Sequence, residues 1–281
     1  MAQINAHTNL YLNQNKTLFE VNMIANANNG QVVSLSNPFP VTGGNSFELN
    51  ISSGMMAGMS SEFKNGYADN ITQNVETTIW NESVIYPWST LVAANTLYVS
   101  STSTSDVGNV LRLEGLDSSY GKITEDVVLN GTSSVATVNK YLRINRGYLV
   151  GGNPNVGTVR ERYANTSGTV VGSMAAGNSR NKSCVYTVPN GYTAYVLYGD
   201  ATQFRGGAGN IGGQVRMYCR ANQYSRPFTN EFTSEVVNGY YRNDFTIPLQ
   251  LPQKTDIDVR CYADSTGTVF TCNYQLVLIA N

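Results

Sequence analysis

Between Leu111 and Tyr148 the chain alternates short apolar runs with tight-turn dipeptides, and this rhythm limits its possible folds more than any other feature. The stretch reads Leu111-Arg-Leu-Glu-Gly-Leu-Asp-Ser-Ser-Tyr120, then Gly121-Lys-Ile-Thr-Glu-Asp-Val-Val-Leu129, then Asn130-Gly131-Thr132 and Tyr141-Leu-Arg-Ile-Asn-Arg-Gly-Tyr148. Period-two alternation over runs this short marks strands with one buried face. Asn-Gly tolerates positive φ at both positions and is the strongest short-range hairpin signal. The segment therefore predicts successive antiparallel strands.

The same grammar continues to the C-terminus. Residues 61–175 read as one β-domain, with strands at Val75–Trp80, Thr96–Ser100, Val110–Leu116, Ile123–Leu129, Ser134–Val138, Leu142–Val150 and Thr158–Tyr163. Residues 176–281 read as a second, with strands at Cys184–Val188, Thr193–Tyr198, Gln214–Arg220, Phe228–Phe232, Phe245–Pro248, Asp256–Ala263 and Val269–Ile279. Within Asp256–Cys261 the alternation is strict. It points Ile257, Val259 and Cys261 inward, and Asp256, Asp258 and Arg260 toward a wet face.

Residues 1–60 differ: they are rich in Asn, carry Pro38-Phe-Pro40 and end in Gly54-Met-Met-Ala-Gly-Met59. Strands are possible at Thr17–Met23 and Gln31–Leu35. The expectation is an extended arm or small irregular subdomain. Met55, Met56 and Met59 either pack locally against the first domain or form an adaptable docking strip for a neighbouring subunit. The predicted fold class is all-β: two antiparallel β-sandwich domains, jelly-roll or immunoglobulin-like, behind an N-terminal arm.

Composition narrows the function classes. Charged residues make up 13% of the 281 positions, against about 25% in an ordinary globular protein. Net charge is -1 with no Lys/Arg cluster, so nothing would displace the counterions of a nucleic acid. No apolar run approaches the roughly 20 residues of a helical membrane span. Met1–His7 has no basic segment leading into an apolar one, so no signal peptide is expected. Asn-X-Ser/Thr triplets, at Asn81 and Asn130 for example, then read as by-products of an Asn-, Ser- and Thr-rich chain.

Candidate chemistry is sparse. Cys184, Cys219, Cys261 and Cys272 form no Cys-X-X-Cys pair, and the single histidine, His7, is distant in sequence; zinc is not expected. A hairpin turn at Ser265–Thr268 would set Cys261 opposite Cys272. Two buried thiols in a reducing compartment are the expectation there, with a cross-strand disulfide as the alternative. Gly207-Ala-Gly-Asn-Ile-Gly212 matches G-x-G-x-x-G, but it lies between two strands with no helix to meet a pyrophosphate, so it reads as a loop. Glu114, Glu125, Asp126, Asp256 and Asp258 are the acids available to a carboxylate hydrolase, although outward acids on alternating strands ordinarily protect edges. Asp200, Asp256 and Asp258 could bind calcium, but no loop has the ligand density of a calcium cage. Tyr218, Tyr224, Tyr240, Tyr241, Tyr262 and Trp88 could stack on sugars or cover a subunit interface. No catalytic, cofactor-binding or metal-binding residue is assigned, and no enzyme activity or cofactor is expected.

Several blocks in order resemble virion structural proteins of tailed bacteriophages, including marine and cyanobacterial phages. They are Trp80-Asn81, Tyr86-Pro-Trp88, the Ser/Thr run Ser100–Asp106, Gly115–Thr132 (Gly-Leu-Asp-x-x-Tyr through Leu-Asn-Gly-Thr), Leu142-Arg-Ile-Asn-Arg146, Tyr186–Tyr195 and Lys254–Val259. The resemblance spans roughly residues 75–281. It implies a non-enzymatic component of a virion made in a bacterial cytoplasm. Capsid decoration or cement is the leading role, and a tail or baseplate protein or a carbohydrate-binding fibre module is the alternative. The implied partners are the major capsid protein or tail components, further copies of the chain and, in the fibre case, a host surface glycan. It transfers no catalytic residue.

Overall fold

Short stretches that alternate apolar with polar residues, such as Val110–Leu116 and Thr255–Ala263, form strands. The computed structural model describes residues 9–12, 18–21, 47–204, 212–236 and 239–281. In chain order its strands are β1 (Asn9–Leu12), β2 (Leu18–Val21), β3 (Met59–Ile71), β4 (Thr77–Thr78), β5 (Asn95–Ser101), β6 (Val110–Leu116), β7 (Lys122–Val128), β8 (Val135–Tyr141) and β9 (Arg143–Gly151). They continue as β10 (Val159–Tyr163), β11 (Val170–Met174), β12 (Val185–Thr187), β13 (Tyr192–Phe204), β14 (Gly213–Ala221), β15 (Thr229–Glu235), β16 (Tyr240–Leu251), β17 (Thr255–Ala263) and β18 (Thr268–Ala280). One short helix, α1, covers Phe47–Ser52. All paired strands are antiparallel among the described residues. The all-β, antiparallel expectation holds.

Residues 1–50 and 51–281 are separate compact units. In the first, β1 pairs with β2. The strand expected at Gln31–Leu35 and His7 lie outside the described residues.

The second unit holds four sheets and two apolar clusters. Sheets β11-β10-β5-β8 and β7-β6-β9 supply Leu97, Val99, Leu111, Leu113, Val159 and Met174 to one cluster. Sheets β16-β13-β18-β3 and β12-β17-β14-β15 supply Val196, Val215, Ile257, Val259, Phe270 and Leu276 to the other, with β4 attached to β17. The stretch 61–79 does not pair with the strands that follow it: β3 lies along β18 and β4 along β17. β3 gave little sequence signal, because its polar run Ser60–Asn65 hides the alternation. Pro248 sits in β16, an edge strand, where a missing N–H costs no ladder bond.

Two turns do something other than expected. At Asn130-Gly131 a tight turn forms, but only Gly131 takes positive φ, +57°, and Asn130 stands outside its two central positions: Ser133 N–H donates to Asn130 O at 3.0 Å. Yet β7 belongs to one sheet and β8 to another, so the turn passes the chain across the core instead of closing a hairpin. The turn before β18 behaves alike. Gly267 takes φ +81°, but β17 and β18 sit in different sheets and share no register. The proposed opposition of Cys261 and Cys272 on neighbouring strands is therefore wrong. All four cysteines are free and buried, and Cys184 Sγ donates to the Cys272 carbonyl at 3.2 Å.

Candidate functional site

Strand β17 has two buried faces, and they are opposites. Ile257, Val259 and Cys261 enter the C-terminal apolar cluster, as their phase predicts. Asp256 and Asp258 point the other way, but both are 0% exposed instead of wet. The alternation reported the correct face and was silent about what covers it. The cover comes from far away in sequence: β4, the Tyr86–Ala94 loop and Arg143 at the start of β9.

Strand register assembles an ion network on that covered face. Asp256 stands opposite Thr187 on β12 and Arg220 on β14; Asp258 stands opposite Tyr218; Arg260 stands opposite Arg216. Arg143 grips Asp256 in a fork, Nε to Oδ1 at 2.9 Å and Nη2 to Oδ2 at 3.1 Å, and Arg220 Nη2 adds a bond to Oδ2 at 2.6 Å. Thr187 Oγ1 donates to the same carboxylate at 2.7 Å. Asp258 accepts from Thr78 Oγ1 at 2.8 Å, Trp88 Nε1 at 3.0 Å and Arg260 Nε at 2.8 Å. Two arginines directly opposite on neighbouring strands repel. Glu76 separates them, taking Arg216 at 3.1 Å and Arg260 at 2.9 Å.

The two buried acids titrate in opposite directions. Burial alone would raise Asp256, but the Arg143 hydrogen bonds and charge outweigh it and hold the carboxyl below its ordinary range. Burial dominates at Asp258, and Arg260, Thr78 and Trp88 do not fully offset it, so its carboxyl is raised. Arg143, with Asn222 and Thr187 beside it, overcomes burial at Asp256, whereas Arg260, Thr78 and Trp88 do not at Asp258.

An aromatic string runs beside the network. Ring centroids lie 5.0 Å apart for Trp80–Tyr86, 4.8 Å for Tyr86–Trp88 and 5.4 Å for Trp88–Phe228. Arg143 and Arg220 lie over Trp88 at 5.4 and 5.6 Å. Arg143 Nη1 also donates to the Leu91 and Leu142 carbonyls at 2.7 and 2.9 Å, tying the Tyr86–Ala94 loop down. Above these groups opens a cavity of about 550 Å³. Trp88, Tyr120, Arg143, Arg220, Asn222 and Leu91 through Ala94 are among its lining residues.

The acids named from the sequence all have structural partners. Glu114 accepts from Tyr148 Oη at 2.7 Å, Glu125 caps the Val138 and Asn139 N–H groups at 2.7 and 2.9 Å, and Asp126 pairs with Arg112. Asp200 lies on β13, in a different sheet from Asp256 and Asp258, and accepts from Asn273 at 2.7 Å. Among the described residues no group of three His, Cys, Asp or Glu side chains could hold a metal ion. Trp88 is buried and Tyr241 packs on the C-terminal cluster. Tyr218 donates to Glu76 and Tyr262 to Asn74. Tyr224 and Tyr240 are exposed, and so is Met55. Gly207–Ile211 lie outside the described residues, and Gly212 leads into a strand, β14.

Besides Arg143 and Asp106, the buried ionisable groups that escaped the sequence reading include Glu161 and Lys64. Glu161 lies on β10 between inward Val159 and Tyr163, fully buried. Its nearest polar partner is Asn181 Nδ2 at 3.3 and 3.4 Å. Burial pushes its carboxyl up to about 7. The phase of Val-Arg-Glu-Arg-Tyr would have found it. Lys64, on the unrecognised β3, donates to the Asn145 carbonyl at 2.5 Å, and burial first, then Arg146, lowers it to about 8.

No family model matches the chain, and no curated protein does. Similar solved structures include T=1 particles derived from infectious bursal virus, 12% identical over 79% of this chain and 70% of that one, with a TM-score of 0.20. Another is the VP2 subviral particle of infectious bursal disease virus, 12% identical over 80% and 73%, with a TM-score of 0.21. Superpositions this loose carry no argument about fold or function.

Proposed function

We propose that this chain is a non-enzymatic structural protein of a bacteriophage virion, most simply a capsid decoration or cement protein. In this reading its two clusters are two β-sandwiches, and its N-terminal residues form the arm that engages neighbouring virion proteins or further copies. The observation that carries the reading is the buried ion network. Its charges bridge strands from both halves of residues 51–281, Arg143 on β9 to Asp256 on β17, and so occupy in structural bonds the groups a reaction would need. Each acid offered as a hydrolase candidate serves a structural bond. The phage-like blocks from Trp80 to Val259 support the same reading.

The test is incorporation. Particles assembled with a chain lacking residues 1–50 should lose it, while the remainder stays folded and β-rich by circular dichroism. The cut falls before Ile51, where the second unit begins, and spares all of β3. Normal incorporation of the truncated chain would defeat the arm mechanism. Absence of the full chain from purified particles would defeat the virion assignment itself.

A further inference from the structure

We propose that the cavity above Trp88 and Arg143 is a binding site for a carboxylated sugar residue, a hexose-sized ring bearing one carboxylate. This goes beyond a scaffold role, although it draws on residues of the same network, Arg143, Arg220 and Asp256.

The first argument is charge. Around the cavity Arg143 and Arg220 share a single carboxylate, Asp256. The rest of the network is matched: Arg216 and Arg260 face Glu76 and Asp258. One positive charge is thus left over, and it lies where the network meets the cavity. Lys254 is not a lining residue, but its Nζ lies 5.8 Å from the ring of Tyr120, which is. The nearest acid on the rim segment, Asp117, is already held by the Ser119 and Gly121 N–H groups at 2.8 and 2.9 Å. A concave site with low-dielectric walls and one sign of charge concentrates counter-charge.

The second argument is donor geometry. Arg143 directs Nε and both Nη groups to Asp256, Leu91 O and Leu142 O, so it is fixed in place. Arg220 binds Asp256 through Nε and Nη2 only. Its side chain is 23% exposed, and its Nη1 makes no bond to the network. A planar guanidinium with free N–H groups in a partly desolvated wall is suited to a carboxylate.

The third argument is the remaining lining. At about 550 Å³ the cavity falls in the ~300–1,000 Å³ range of small-molecule sites. Ser89 and Ser118 offer hydroxyl groups, Asn222 is held through its Nδ2 by the Lys254 carbonyl at 2.8 Å, and Leu91, Ala93 and Ala94 offer apolar surface. A uronic-type sugar uses all three: carboxylate to Arg220, hydroxyls to the polar rim, C–H face to the wall. A neutral hexose leaves the charge unmatched, and a small inorganic anion leaves the wall unused.

The test is titration of the full chain with glucuronate and galacturonate, read by saturation-transfer NMR and calorimetry, against glucose, galactose and sulfate. Expected is uronate binding with Kd on the order of millimolar or tighter, with neither hexose binding and sulfate weaker. Arg220→Gln should weaken uronate binding by about tenfold or more. Val92→Glu, at an exposed rim position, should do the same by placing a carboxylate at the mouth. Arg242→Gln, in a remote surface pair on β16, should bind as the parent does. Circular dichroism and thermal melts establish that each variant is folded. No uronate binding at about 20 mM, equal binding of sulfate, or parental binding by both folded pocket variants would each overturn the proposal.

Discussion

The Arg112–Asp126 and Arg143–Asp256 pairs are two versions of one fork. The first joins neighbouring strands β6 and β7, with both bonds at 2.7 Å. The second joins β9 to β17, 113 residues away, at 2.9 and 3.1 Å. The shorter fork is in water, at 38% and 41% side-chain exposure; the longer one is sealed, at 4% and 0%. Distance therefore ranks them in the wrong order. In water, screening and side-chain entropy offset the Coulomb gain. In the interior, removing one partner strands a charge that has no solvent to return to.

The sealed fork gives the largest expected effect. Asp256→Asn keeps the shape but leaves Arg143 and Arg220 without their carboxylate. It should cost about 3–5 kcal/mol, read as a fall in the urea midpoint at unchanged slope. The double variant Arg143→Met, Asp256→Asn should recover part of that loss, because a buried pair replaced whole is often neutral. Equal instability of the single and double variants would show that the fork is not the coupled unit drawn here. Acid should act in the same sense. Asp256 is depressed, so its contribution is complete above the ordinary carboxylate range and fades as pH falls through its folded pKa.

Glu161 sharpens the comparison, being a buried acid with no arginine. Its carboxyl is raised from 4.5 to about 7. The folded chain thus holds a proton there that the unfolded chain has released, and stability should fall as pH rises from about 4.5 to about 7. Glu161→Gln removes the penalty. It should stabilise the protein by about 3 kcal/mol at pH 8 and by almost nothing at pH 4. A pH-independent effect of the substitution would refute this account.

Gly115 should matter less, through Arg143's own strand. A Cβ built there meets the Arg143 carbonyl at 2.2 Å and the Tyr141 ring at 2.7 Å. Gly115→Ala must push β9 away from β6, at about 1–3 kcal/mol. Because β9 carries Arg143, uronate binding should weaken along with stability. A loss of neither would show that the strand gives way freely.

These regions also show what could be read in advance. Period two located most strands and set the phase of β17 correctly. It also placed Glu161 inward, had its phase been followed between Val159 and Tyr163. Turn chemistry located the reversals at Asn130-Gly131 and Gly267, but it did not say which sheet the next strand would join. That choice rests on core packing, which has no local signature. The cover over Asp256 and Asp258 was illegible for the same reason. Thr78, Trp88 and Arg143 reach them from 113 to 180 residues away. The cavity gathers Trp88, Tyr120, Arg143 and the Arg220/Asn222 pair from four separate segments, and no motif spacing joins them.

The smallest effect belongs to the fork that looks best. Asp126→Asn removes both 2.7 Å bonds to Arg112, yet both side chains keep their water. Arg112 is not stranded: it re-solvates, and Tyr148 remains near it on β9, opposite Arg112 in the register. The thermal midpoint should not move measurably, and any shift seen at low salt should vanish at about 0.5 M salt, where the Debye length is only a few ångströms. The hairpin itself rests on Leu111, Leu113 and Val127 in the apolar cluster, which the substitution leaves alone. A loss comparable to that of Asp256→Asn would mean that surroundings do not separate the two forks, and the buried network would lose its claim to hold the halves together.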